Sequence, residues 1–323
     1  MMRLCILTFL AILCLFSCET KSIPTPYCLG SMVEVGHFDH SFFAMDSTQL
    51  DESLMLLQNN FPEFFKEEQN KADLVSRFKD PQIRELFSAA DSVFPEPLEL
   101  SAEIKDAFKY FHYYFPNQDS LKVYTWISNF ESINPVTISG TTLLVALDLY
   151  LGKQSHFYKS APEYVKAGFD KHYLVSDLVH AYFLANIQLP KENTLLAYMV
   201  YHGKIHYLSS LQIPNSKPYI VMNYPEEKMQ WCLENEANIW AYFIENKLLF
   251  SSQHLNKQRF IEAAPFSKFY TNFDAKSPGR VGQWLGLNLV SAYMENHPEV
   301  SLNELIAEQN AQKILRKSHY KPK

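Results

Sequence analysis

Ser176-Asp177-Leu178-Val179-His180 has the spacing of the H-E-x-x-H helix, in which two histidines four residues apart face one zinc ion and the glutamate polarises its water. Here serine stands for the first histidine and aspartate for the glutamate. Serine is not a typical zinc ligand, and aspartate is one methylene shorter than the acid it replaces. In such sites a second helix often supplies a third ligand, a glutamate before a glycine. The analogous position here is His202, in Tyr201-His202-Gly203-Lys204-Ile205-His206. His202 and His206 lie one turn apart on one helix face, so with His180 they form a candidate three-histidine metal set. His-x-x-x-His pairs also arise by chance on helices, and ordinary hydrogen bonds in the core or at its rim account for all three residues. On that reading Ser176, Asp177, His180 and His202 are degenerate site positions, with no catalytic residue and no metal or other cofactor expected. The alternative is a metal-dependent, peptidase-like hydrolase with a rearranged histidine ligand set.

Other chemistry is sparser. Glu234, Glu236 and Glu245 lie beside Trp231 and Trp240 and could form an acidic ligand cluster, although a solvated or salt-bridged helix face accounts for them. Arg280, in Ser277-Pro278-Gly279-Arg280, could grip an anion near a helix start or pair with a carboxylate. No P-loop, dinucleotide fingerprint, G-x-S-x-G elbow or EF-hand loop occurs.

The first eighteen residues read as an address. Arg3 precedes an apolar run from Leu4 to Phe16, too short for a membrane-spanning helix and laid out as a secretory signal. Ser17 before Cys18 resembles the lipobox of bacterial lipoproteins, which makes Cys18 the expected lipidation site. Residues 1–17 are then the signal peptide, 18–31 a lipidated, proline-containing tether, and 32–323 a single globular domain. Removing the signal leaves 306 of the 323 residues with a net charge of about −7, and no basic stripe suited to a nucleic acid. Lys313, Arg316, Lys317, Lys321 and Lys323 make the C-terminal tail basic, as a solvated tail or one that touches anionic lipid or a partner. Of five cysteines, Cys28 and Cys232 remain in the mature body, where an envelope location permits but does not require a bridge. The 24 Phe, 19 Tyr and 4 Trp suit a packed body rather than a disordered linker.

These residues need elements to hold them. Leu50, Leu54, Leu57 and Phe61 begin a helical pattern that runs to about Phe115, punctuated by prolines. Alternation at Val123, Thr125 and Ile127, then Val136–Ile138 and Thr142–Leu151, predicts a small antiparallel sheet in the middle of the chain. Helix returns at about Ala161. Leu174, Leu178, Tyr182 and Ala185 trace one face, and further helices are predicted over 192–211 and 225–250. Ser277 with Pro278 predicts the start of a helix on which Gly282 and Gly286 let a neighbouring backbone approach. Ser301 and Glu304 form a capping box for the final helix. The fold class is α+β and predominantly helical.

A longer likeness runs through Trp231–Glu245 (WCLENEANIWAYFIE), Ala264–Tyr270 (APFSKFY), Ser277–Trp284 (SPGRVGQW), Ala146–Gly152 (ALDLYLG), and Phe38-Asp39 with Phe61–Phe65 (FPEFF). In these strings the chain resembles the gliding motility-associated lipoprotein GldB family. The resemblance implies lipid anchoring through Cys18 in the cell envelope, facing the periplasm. It implies a zincin-like body whose H-E-x-x-H helix is degenerate, and partners among envelope proteins of the gliding and type IX secretion apparatus. The family's usual Glu-Gly-Lys is His202-Gly203-Lys204 here, which removes the remaining acid. The implied role is non-catalytic and acts by protein–protein interaction, with contact to the membrane through lipid and none with nucleic acid.

Overall fold

The computed structural model describes residues 33–65, 70–131, 133–272 and 274–322. The signal 1–17, the lipidation candidate Cys18, the tether 18–31 and Cys28 lie outside these described residues. In chain order the elements are strand β1 (Val33–His37), helices α1 (Phe38–Phe43), α2 (Leu50–Asn60), α3 (Asn70–Lys79), α4 (Pro81–Val93) and α5 (Pro97–Tyr114), then strands β2 (Leu121–Trp126), β3 (Val136–Ser139) and β4 (Thr142–Ala146). Helices follow to the end: α6 (Glu163–Lys166), α7 (Leu174–Asn186), α8 (Leu195–Gln212), α9 (Pro218–Val221), α10 (Glu226–Glu234), α11 (Glu236–Glu245), α12 (His254–Phe260), α13 (Val281–Asn296), α14 (Leu302–Ala307) and α15 (Ala311–Ser318).

The four strands lie in the order β1-β2-β4-β3. β3 and β4 form the antiparallel hairpin that the alternation predicts, turning at Gly140 with φ +60°. The sheet as a whole is mixed, which corrects the expectation of an antiparallel one. β1 pairs parallel with β2 (His37 opposite Thr125), and β2 pairs parallel with β4 (Trp126 opposite Ala146). The missed strand is β1, whose partner lies more than eighty residues away across the α1–α5 crossover that a parallel pair requires. Helices cover both faces, so β2 and β4 are buried nearly throughout. On one face Ile104, Phe108 and Phe111 of α5 and Leu178 of α7 pack with Val123, Leu143 and Val145. On the other, Phe38, Phe42, Leu54, Leu57 and Phe78 enclose Tyr124.

The helical half is organised by α8 against α13, with Leu195, Met199, Trp284, Leu285 and Leu289 in one core. α7 packs on α8 and links the two halves. Several predicted boundaries move. The helix expected over 225–250 breaks at Asn235 into α10 and α11, and Asn235 donates its amide back to Trp231 O at 2.9 Å. Ser277 is no cap, because its hydroxyl bonds Asp274 O and Ser267 O in a buried turn. α13 starts at Val281 behind a left-handed Arg280. Ser301 and Glu304 do form a capping box, but it opens α14, and α15 follows. α15 buries Ala311 and Ile314, so Lys313, Arg316 and Lys317 belong to a docked amphipathic helix, whereas Lys321 follows it and Lys323 lies outside the described residues.

Candidate functional site

α7 and α8 bring the sequence-singled residues together, and their polar atoms converge on the segment 220–224. The Ser176 hydroxyl donates to Ile220 O at 2.9 Å. His206 places Nδ1 3.2 Å from Val221 O. Arg280 Nη2 donates to Met222 O at 3.2 Å and to Asn223 O at 2.9 Å. The Tyr173 hydroxyl donates to Tyr224 O at 2.8 Å. Five consecutive carbonyls thus each face a polar side-chain atom. Asn223, in a left-handed conformation with φ +47°, completes the clamp by donating to Asp177 Oδ1 at 2.8 Å. The Tyr150 hydroxyl donates to Asp177 Oδ2 at 3.0 Å. Both oxygens of the Asp177 carboxylate are therefore engaged. Desolvation pushes Asp177 up to about 6, against the pull of those two donors and of Arg280.

The packing of α7 on α8 brings His180 to the His202–His206 pair, a meeting that spacing alone did not fix. The His180 and His206 rings lie 4.8 Å apart, and His206 lies close enough to lower the proton affinities of both His180 and His202. Burial is the main cause: it holds His202 at about 3 and His206 at about 4, and His180 well below its ordinary value. The rings are therefore neutral at pH 7. His206 faces two acceptors, Val221 O and Gln283 Oε1 at 3.0 Å, and a neutral ring can donate to one of them. His180 Nε2 and His202 Nδ1 are buried with no hydrogen-bond partner.

These donors do not fit a zinc ion. Ser176, both Asp177 oxygens and both His206 nitrogens face protein partners, which leaves only the imidazoles of His180 and His202. Among the described residues, no group of three or more His, Cys, Asp or Glu could hold a metal ion.

The rest of the His202-Gly203-Lys204 run is explained by packing. A Cβ on Gly203 would sit 2.2 Å from Gly286 O, so the glycine lets α8 cross α13 at backbone contact. Lys204, 3% exposed, reaches the end of α14 and donates to Ile306 O at 3.4 Å and to Glu308 O. A lysine at a helix C-terminus satisfies carbonyls that the helix itself leaves unpaired.

Residues 25–322 match the family model described as gliding motility protein GldB. The chain belongs to the GldB family. No curated protein and no solved structure matches it. The family membership makes this a gliding-motility-associated protein and points to the cell envelope. Among the described residues no helix is long and apolar enough to cross a membrane.

The remaining candidates of this GldB-family chain fall apart as a site. Glu236 is buried and accepts from the Tyr320 hydroxyl at 2.6 Å and from Asn288 at 3.3 Å. Glu234 is exposed and bonded by Gln230, and Glu245 is exposed on α11. Arg280 holds backbone carbonyls, with its guanidinium 5.3 Å from the Tyr224 ring, and forms no ion pair with a carboxylate among the described residues. Sequence reasoning did not single out Tyr150 and Asn223 as partners of Asp177, Gln283 as a partner of His206, or Tyr173 as a partner of Tyr224 O. One local signal existed, an asparagine before Tyr224-Pro225, since asparagine tolerates a left-handed backbone.

Proposed function

We propose that this GldB-family protein is a non-catalytic envelope component, tethered by lipid on Cys18 on the periplasmic side of a membrane. It docks on other proteins of the gliding and type IX secretion apparatus and has no role with nucleic acid. One observation carries the reading. The positions where a zinc peptidase keeps its first ligand and its base are spent on protein partners, Ser176 on Ile220 O and Asp177 on the Asn223 and Tyr150 side chains. A carboxylate whose two oxygens are already held is not free to polarise a water. The family membership supports the motility association, and the Ser17-Cys18 junction supports the anchor.

Complementation of a deletion strain tests this. Loss of surface spreading on deletion, restored by the wild type and by His180→Gln but not by Cys18→Ala, is the expected pattern. Stoichiometric zinc in the purified protein, lost together with peptide hydrolysis on His202→Gln, would replace the reading with the hydrolase. Full rescue by Cys18→Ala would remove the anchor from it.

A further inference from the structure

A groove of about 540 Å³ lies between α5 and the segments around Lys171 and Gln212, within the size range of ligand clefts. Its α5 wall is acidic. Glu96, Glu99, Glu103 and Asp106 recur at helical spacing and so line one face, over about 15 Å of axis. Of these four, Asp106 alone is ion-paired among the described residues, with Lys109 at 2.7 Å. Lys171 is the one lysine on the lining, so the groove keeps a net negative charge. Its floor holds a second, independent sign of a missing partner. Gln212 is 1% exposed, and neither its Nε2 nor its Oε1 has a hydrogen-bond partner. A buried amide left in that state is costly, and a peptide backbone offers both the acceptor and the donor that it lacks.

We propose that this groove receives an extended, lysine- or arginine-bearing segment of a partner protein. Basic side chains lie along Glu96, Glu99 and Glu103, and a backbone amide of the segment pairs with Gln212. About five extended residues cover the length of the acidic stripe, which favours a peptide over a small cation. The acidity excludes an anionic lipid surface as the occupant. The proposal names a docking surface for the interaction role above and rests on that role for its partner in the cell, whereas binding itself is measured without it.

The test is calorimetric titration of the full chain in detergent with an acetylated, amidated pentapeptide alternating alanine and lysine. Saturable binding that weakens with added salt is expected, with at least about fivefold weaker binding of the counterpart carrying glutamine for lysine. The double variant Glu99→Gln, Glu103→Gln should weaken the lysine peptide about fivefold to tenfold. Gln212→Met should also weaken it while leaving the melting temperature unchanged or raised, since it deletes an unpaired amide; a Gln212 with a purely structural role would lower the melting temperature instead. No saturable binding, equal binding of the glutamine peptide, or indifference to the double variant overturns the groove. Full rescue of spreading by the double variant also counts against the groove and leaves the envelope role standing. A deletion without phenotype, with peptide binding intact, does the reverse.

Discussion

Gly286 and Met199 meet at backbone contact: a Cβ on Gly286 would lie 1.8 Å from the Met199 carbonyl oxygen. No side-chain rotation relieves such a clash, because both partners are main chain. α13 and α8 would have to separate, and Arg280 at the head of α13 would carry the shift into residues 222 and 223. Gly286→Ala is therefore expected to destabilise the protein by at least about 3 kcal/mol, or to prevent folding. Gly152→Ala has open space around it and carries only the strain of a left-handed backbone, about 1 to 2 kcal/mol. Urea unfolding of the two variants checks the ranking, and a wild-type midpoint for Gly286→Ala would refute the contact.

Asp177 is expected to act as a structural acceptor. Asp177→Ala leaves the fully buried Tyr150 hydroxyl without its acceptor and releases Asn223 from its left-handed turn. The loss should be about 2 to 3 kcal/mol. Asp177→Asn keeps one oxygen for Tyr150 and should cost clearly less. Chemical denaturation gives the order, and equal losses would mean that the Tyr150 bond contributes nothing.

The sequence carried the helices with a clear apolar period, the hairpin, the capping box and the pairing of His202 with His206 on one helix face. These are set by neighbours three, four or two residues apart, so a short window contains the cause. β1 was not legible, because a parallel strand is defined by a distant partner and its five residues alternate weakly. The role of Ser176 and Asp177 was half legible. Their types argued against zinc, yet the five carbonyls they and their neighbours face belong to a segment more than forty residues downstream. The glycine at position 203 showed its meaning only when α13 was placed against it.

Lys204 supplies a prediction on the alkaline side. Burial lowers it to about 8, against an ordinary value of 10.5, with the charge of Glu308 opposing. Between those values the unfolded chain binds the extra proton, so this group makes stability rise with pH across the window. Lys204→Met should make the difference in unfolding free energy between about pH 8 and about pH 10 less positive than in the wild type. An unchanged difference would show that Lys204 is solvated, and not held against the end of α14.

The buried histidines set the acid side. Unfolded, each titrates near 6.5, whereas in the fold His202 is held at about 3, His206 at about 4 and His180 well below its ordinary value. As pH falls through 6.5 the unfolded chain takes up protons that the folded chain refuses, so stability drops. Asp177 works in the opposite sense. Its folded value of about 6 exceeds the ordinary 3.8, so it adds stability that is fully present below 3.8 and lost as pH rises through 6. Three groups oppose one, and the urea midpoint should fall between about pH 7 and about pH 5. Asp177→Asn removes the opposing group and should steepen that fall, and His202→Phe removes one of the three and should make it shallower. A midpoint that stays level or climbs on acidification would mean that the rings between α7 and α8 reach water.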